Sequence, residues 1–109
     1  MSIDPSPIAV IPQPVRALAV SAARGVPGVS TIHPPPYSTW MTLVGSKPEQ
    51  HEYLRLKVRG EFINTELDIG IEDQVNAVEV ATAVQTRIFD ILSEHVPSPG
   101  ALRVTVTVL

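Results

Sequence analysis

The chain has 109 residues, a formal net charge of −3, 44% hydrophobic residues and no cysteine. This length predicts one domain with its own hydrophobic core. The lack of cysteine excludes disulfides, thiolate metal sites and cysteine catalysis. The negative charge argues against nucleic-acid binding, which requires a basic surface. No apolar run approaches the roughly 20 residues that a membrane-spanning helix needs, so no direct membrane span is expected.

Residues 1–12 form a proline-rich N-terminal segment, and residues 13–109 are predicted to form a single α+β domain. A first helix is expected to begin near Pro14, because proline suits the first position of a helix. Gly25 and Gly28 with the proline between them end it, and a short strand over 29–32 follows.

Residues 33–50 are predicted to form a conformationally restricted loop. Three consecutive prolines at 34–36 favour an extended polyproline II conformation, because each proline fixes its own φ and restricts the residue before it. Three large side chains in this loop are candidates for lining a small ligand pocket, although a packing role is the simpler interpretation: Tyr37, Trp40 and Met41.

Two alternating strands are predicted over 53–59 and 65–72. Their inward positions are apolar, while the outward positions are basic in the first strand and acidic in the second. Gly60 and Asn64 in the link favour an antiparallel hairpin. Opposite charges on neighbouring strands would support this pairing by roughly 0.2–1 kcal/mol per pair. The charged outer positions also form a candidate electrostatic contact surface: Arg55, Lys57, Arg59, Glu66 and Asp68.

A long amphipathic helix is predicted from Asn76 to about His95. Asn76 is a favourable N-cap, and Glu79 stands three residues later, as in a capping box. Val78 and Phe89 lie off the core stripe and give the helix more apolar surface than one sheet contact needs. They are therefore candidate interface residues.

A final alternating strand over 102–108 completes the predicted fold. The elements follow the order α-β-β-β-α-β, which indicates the α+β class. We expect a two-layer sandwich in which a small sheet of three or four strands, mixed or antiparallel, carries both helices on one face. The helix between the last two strands implies a right-handed crossover.

This arrangement resembles the alkaline shock protein family of Gram-positive bacteria, which comprises general and cell-envelope stress proteins. The resemblance lies in an alanine-rich helix closed by Val-Pro-Gly-Val at 22–29, in the strand at 66–71, and in the helix and terminal strand at 78–88 and 103–108. The proline-rich start and the Pro-Pro-Pro-Tyr loop depart from the family. The resemblance implies a non-enzymatic, self-associating protein that an anchoring partner can recruit to the membrane.

Candidate catalytic residues are few. Glu66 and Asp68 lie about 7 Å apart on one strand face, and paired carboxylates can act as general acid and base. The basic strand beside them offers the simpler role of cross-strand ion pairs. No phosphate-binding glycine loop, nucleophile elbow or H-E-x-x-H motif occurs. The chain is therefore predicted not to be an enzyme, with no catalytic residue and no cofactor.

Glu49, His51 and Glu52 form a loop cluster of metal-capable side chains. Metal sites need three or four ligands in a defined geometry, and neither His33 nor His95 stands at a spacing that completes a standard motif. A solvated loop is the preferred interpretation, and no metal site is predicted.

Basic side chains on the outer strand face also suggest a strip for phosphate or an anionic membrane. The nearby acids Glu66, Asp68 and Glu72 are expected to neutralise most of it, and salt screens exposed charges within about 8–10 Å. A solvated face is again the preferred interpretation. The basic residues are Arg55, Lys57, Arg59 and Arg103.

The leading functional hypothesis is a non-enzymatic, self-associating scaffold of the stress response and cell envelope. It would be cytoplasmic and recruited to the inner face of the membrane by a small anchoring protein, with a second copy of itself as its other partner. The hypothesis rests on the family resemblance, the lack of catalytic motifs, and the surplus apolar surface at Val78 and Phe89. The alternative is a small-molecule or peptide-binding module that uses the 33–50 loop.

Overall fold

The computed structural model of the protein describes residues 11–35, 48–96 and 98–109. These residues form an α+β domain in the order α-β-β-β-α-β, and this confirms the predicted fold class. The elements are α1 (Gln13–Arg24), β1 (Val29–His33), a 3₁₀ turn (Gln50–Tyr53), β2 (Arg55–Arg59), β3 (Phe62–Ile71), α2 (Ala77–Leu92), two further 3₁₀ turns (Ser93–His95 and Pro99–Ala101) and β4 (Leu102–Val108).

The ten-residue strand β3 is the centre of a mixed sheet. β4 runs parallel to β3 and pairs with residues 63–69. β2 and β1 both run antiparallel to β3 and pair with residues 62–66 and 68–71. Because β4 occupies one edge of β3 over this length, β1 and β2 must lie end to end along the other edge. Two parallel strands need a long crossover, and α2 supplies it.

Both helices pack on one face of the sheet, as predicted. The residues of β3 that face the helices are buried, and so is the stripe of α2 at helical spacing. Thr65 is the one polar residue in this buried set among the described residues, and its Oγ1 donates a hydrogen bond to the Arg103 carbonyl at 3.0 Å. The buried stripe of α2 comprises Val80, Val84, Ile88 and Leu92.

Two strand boundaries differ from the sequence prediction. β2 begins at Arg55 rather than Tyr53, because the Leu54 N–H donates to the His51 carbonyl at 3.3 Å and closes a 3₁₀ turn. β3 begins at Phe62 rather than Thr65. Gly60 has a φ of 58° and allows a two-residue turn, so that Phe62 already pairs with Arg59. Glycine at the first turn position suits such a hairpin.

The start of α2 confirms the predicted cap. The Asn76 side chain accepts a hydrogen bond from the Glu79 N–H at 3.1 Å, which satisfies one of the free donors at the helix start. The regular helix ends at Leu92, and the last predicted residues, up to His95, form a 3₁₀ turn instead.

The turn between α1 and β1 approaches α2 closely at Gly28. This glycine has a φ of 96°, a conformation that other residues rarely adopt. A Cβ atom placed on Gly28 would lie 2.6 Å from Cγ2 of Val80, a buried residue of α2. Gly28 therefore meets two constraints at once, one from its backbone and one from its neighbour.

We expect Gly28→Ala to lower the free energy of unfolding by about 2–3 kcal/mol, because backbone strain and overpacking against Val80 add together. Gly60→Ala is the matched control, since Gly60 shares a positive φ but a Cβ atom placed on it would meet no other atom within 4 Å. The control should lose only about 1 kcal/mol, from the positive φ alone. Urea unfolding of both variants measures the difference, and equal losses would contradict a close approach at Gly28.

Candidate functional site

A cluster of metal-capable side chains lies at the 3₁₀ turn that precedes β2. One ligand atom from each of Glu49, His51 and Glu52 lies within 4.8 Å of the other two, and His51 Nδ1 is 3.4 Å from Glu49 Oε2. The His51 side chain is only 13% exposed, whereas that of Glu49 is 74% exposed. The structure thus gathers three residues that the sequence analysis interpreted as a solvated loop. We call them the Glu-His-Glu trio.

The trio is held in place by contacts between its turn and α1. Gln50 Nε2 donates a hydrogen bond to the Ala17 carbonyl at 3.2 Å. The Arg24 guanidinium lies over the Tyr53 ring, 5.3 Å from its centroid, a distance typical of a cation–π contact. Leu54, directly after the turn, is 2% exposed and belongs to the core. The turn is therefore fixed at both of its ends.

The chemistry of the trio suits a divalent transition metal. Zinc accepts histidine nitrogen and carboxylate oxygen, and imidazole also suits nickel and copper. Three protein ligands would leave a further coordination position for water or another group. The spacing offered a signal, because residues three apart eclipse in a 3₁₀ helix. Glu49 is the N-cap of this turn and Glu52 lies in it three residues later, and their ligand atoms lie within 4.8 Å of each other.

The other two histidines lie apart from the trio. His33 is on β1, opposite Asp68 in register, and a Cβ on Gly70 would lie 3.1 Å from its Nε2. His33 therefore covers the backbone of β3 where that backbone has no side chain. His95 is in the 3₁₀ turn after α2. Among the described residues, neither histidine belongs to the cluster of ligand atoms.

The predicted charged surface lies on the outer face of the sheet and forms ion pairs between β2 and β3. Arg55 Nη2 lies 2.9 Å from Asp68 Oδ1, and Lys57 Nζ lies 3.2 Å from Glu66 Oε2. Both pairs run diagonally, since Arg55 stands directly opposite Glu66. Each carboxylate thus has a cationic partner, which leaves no unpaired acid–base couple at Glu66 and Asp68.

The surplus apolar surface of α2 is partly exposed. Val78 is 75% exposed, while Phe89 is half-buried and packs against the core. They stand eleven residues apart, about three turns, and so lie on the same side of the helix. Phe89 also lines a groove between α2 and β4, where Gln85 Nε2 donates to the Val104 carbonyl at 2.8 Å.

The candidate ligand residues Tyr37, Trp40 and Met41 lie outside the described residues, so the ligand pocket of the 33–50 loop stays a prediction. In the part of the chain that the structure describes, no helix is long and apolar enough to cross a membrane.

No family model and no curated protein matches the chain, but solved structures of the MamM C-terminal domain share its fold. A zinc form is 23% identical, with a TM-score of 0.50 over 89% of this chain and 85% of that one. A nickel form is 19% identical, with a TM-score of 0.52 over 90% and 96%. A copper form is 21% identical, with a TM-score of 0.51 over 89% and 96%. All three are single-residue variants of the domain.

These neighbours show that the resemblance to the alkaline shock protein family, and the stress-response role drawn from it, is wrong. The motifs on which this resemblance rested are explained by backbone geometry. A helix that turns into a strand against α2 needs Gly28, and a strand with one buried face must alternate, as β3 does. At these identities the neighbours establish the fold alone, which this chain shares with the MamM C-terminal domain.

Proposed function

We propose that the chain is a non-enzymatic metal-binding domain that self-associates, with Glu49, His51 and Glu52 as its metal ligands. The observation that carries this proposal is the clustering of three ligand atoms within 4.8 Å. The fold adds support, because its neighbours include zinc, nickel and copper forms. A role in the control of cation transport, on the cytoplasmic side of a membrane, follows only by analogy of fold.

The electrostatics of the trio favour a bound cation. Two carboxylates held near each other repel, and a divalent ion between them turns this repulsion into attraction. His51 is mostly shielded from water, which strengthens its contact with a metal relative to an exposed ligand. Because the turn is fixed to α1 through Gln50 and Tyr53, metal binding would cost little conformational entropy.

The proposed self-association uses the outer side of α2. Val78 offers exposed apolar surface, and burial of such surface stabilises an interface by about 25 cal/mol per Å². Phe89 extends the same side of the helix toward the edge of β4, a strand that pairs with β3 alone among the described strands. The predicted membrane-anchoring partner came from the discarded resemblance and forms no part of this proposal.

Zinc should stabilise the full chain against thermal unfolding, by about 2.7 kcal/mol at a free concentration of 100 times Kd. His51→Ala removes the imidazole ligand and should abolish the shift in Tm. His95→Ala is the matched control, because it alters a half-buried histidine in another 3₁₀ turn. Calorimetric titration with zinc, nickel and copper ions gives the affinity. Stabilisation that persists in His51→Ala would contradict this site.

In light scattering, the apparent mass of the wild-type chain should rise with concentration. Val78→Asp should lower this mass toward that of the monomer, because association would then require burial of an unpaired charge. Leu18→Asp is the control, since Leu18 is 58% exposed on α1. Phe89 is less suitable because its substitution would also disturb the core. A strict monomer at high wild-type concentration, or equal effects of both variants, would refute this interface.

A further inference from the structure

A basic depression lies on the outer face of the sheet, opposite to the helices. Asn64 of β3 stands directly between Lys57 of β2 and Arg103 of β4 in the sheet register. A short amide between two long side chains leaves an open cavity of about 260 Å³. The residues that line this basic depression are Lys57, Arg59, Asn64, Glu66, Arg103 and Thr105.

The depression keeps an excess of positive charge after its ion pairs are counted. Glu66 is paired with Lys57, and the other acid of the face, Asp68, is paired with Arg55 outside the depression. Among the described residues, no carboxylate forms an ion pair with Arg59 or Arg103. Three cations thus face one carboxylate, in a chain whose overall charge is −3.

The acids that were expected to neutralise the strip form ion pairs with two of its four basic residues, Arg55 and Lys57. Each paired acid engages a single base. Glu72 is not beside the depression, because it follows the end of β3 and its N–H donates to the Gly28 carbonyl at 2.9 Å. Arg59 and Arg103 are therefore available to bind a ligand.

The guanidinium of Arg103 is held in a defined position. It lies over the Phe62 ring, 4.2 Å from its centroid, and the Arg103 carbonyl accepts the hydrogen bond from buried Thr65. Phe62 is also the direct cross-strand neighbour of Arg59. A stacked guanidinium keeps its N–H edge free for hydrogen bonds, so Phe62 orders one arginine beside the other.

We propose that the basic depression binds a phosphate group, carried by a small soluble molecule or by a lipid headgroup. Two guanidinium forks match the oxygens of phosphate in a bidentate manner. The Lys57 ammonium, the Asn64 amide and the Thr105 hydroxyl supply further donors. Glu66 disfavours an anion on its own side and directs it toward the arginines. This site does not depend on the proposed metal binding.

Calorimetric titration of the full chain with inorganic phosphate, at constant ionic strength in chloride, tests the soluble source. Sedimentation with phosphatidylcholine vesicles, with and without phosphatidic acid, tests the headgroup. Arg59→Gln and Arg103→Gln should each raise the Kd about tenfold, because each removes a charge-assisted hydrogen-bond donor. Arg87→Gln, which removes an exposed arginine from α2, is the control with the same change in charge.

Saturable binding of either probe that weakens in both variants but not in Arg87→Gln supports the site, and the probe that binds identifies the source. No binding to either probe, or equal weakening in the control, overturns it. Arg59 lies at the exposed end of β2, so its variant remains informative if Arg103→Gln does not fold. Zinc titration of the same variants separates the two proposals, since it should be unchanged.

Discussion

The pairing of β3 along both of its edges is the constraint on which the rest of the structure depends. Its strict alternation sends apolar residues toward the helices and polar residues to the outer face. A register slip of one residue would bury Glu66 and Asp68 and expose Leu67 and Ile69. The diagonal ion pairs to β2 add to this discrimination, since the same one-residue slip would move both carboxylates to the face opposite Arg55 and Lys57.

Two features of opposite charge are joined through β2. The Glu-His-Glu trio lies just before this strand, and two cations of the basic depression, Lys57 and Arg59, lie on it. The distance along the chain between His51 and Arg59 is on the order of 20–25 Å. Salt screens exposed charges over about 8–10 Å, so a cation at one place and an anion at the other would bind with little electrostatic influence on each other.

Local signals in the sequence predicted the elements well. The Asn76 cap, the alternation of β3 and the glycine turn at Gly60 act over a few residues, and the structure contains each of them. Contacts between segments that are distant in sequence could not be predicted from it. The hydrogen bond from Gln50 to Ala17, which holds the turn of the trio against α1, joins residues 33 apart in sequence. The surplus charge of the depression depends on which acid pairs with which base across β2 and β3.

The mistaken family resemblance has the same origin. Short motifs report local geometry, and unrelated families that share a helix–turn–strand layout share those geometric demands. Gly28 is an example, because its positive φ and its closeness to Val80 both require glycine. Any protein that packs a second helix over such a turn has the same requirement. Function lies in the side chains that the layout leaves free, such as those of the Glu-His-Glu trio.

The parallel pairing of β3 with β4 has a consequence for the order of folding. The β2–β3 hairpin closes through a two-residue turn and can form within microseconds, whereas Ile63 meets Leu102 only after α2 has folded back over the sheet. Contacts so distant in sequence slow folding. Until β4 arrives, one edge of β3 is unpaired beside apolar side chains, and such edges template aggregation. Conditions that delay the docking of α2 should therefore reduce the yield of native protein more than its final stability.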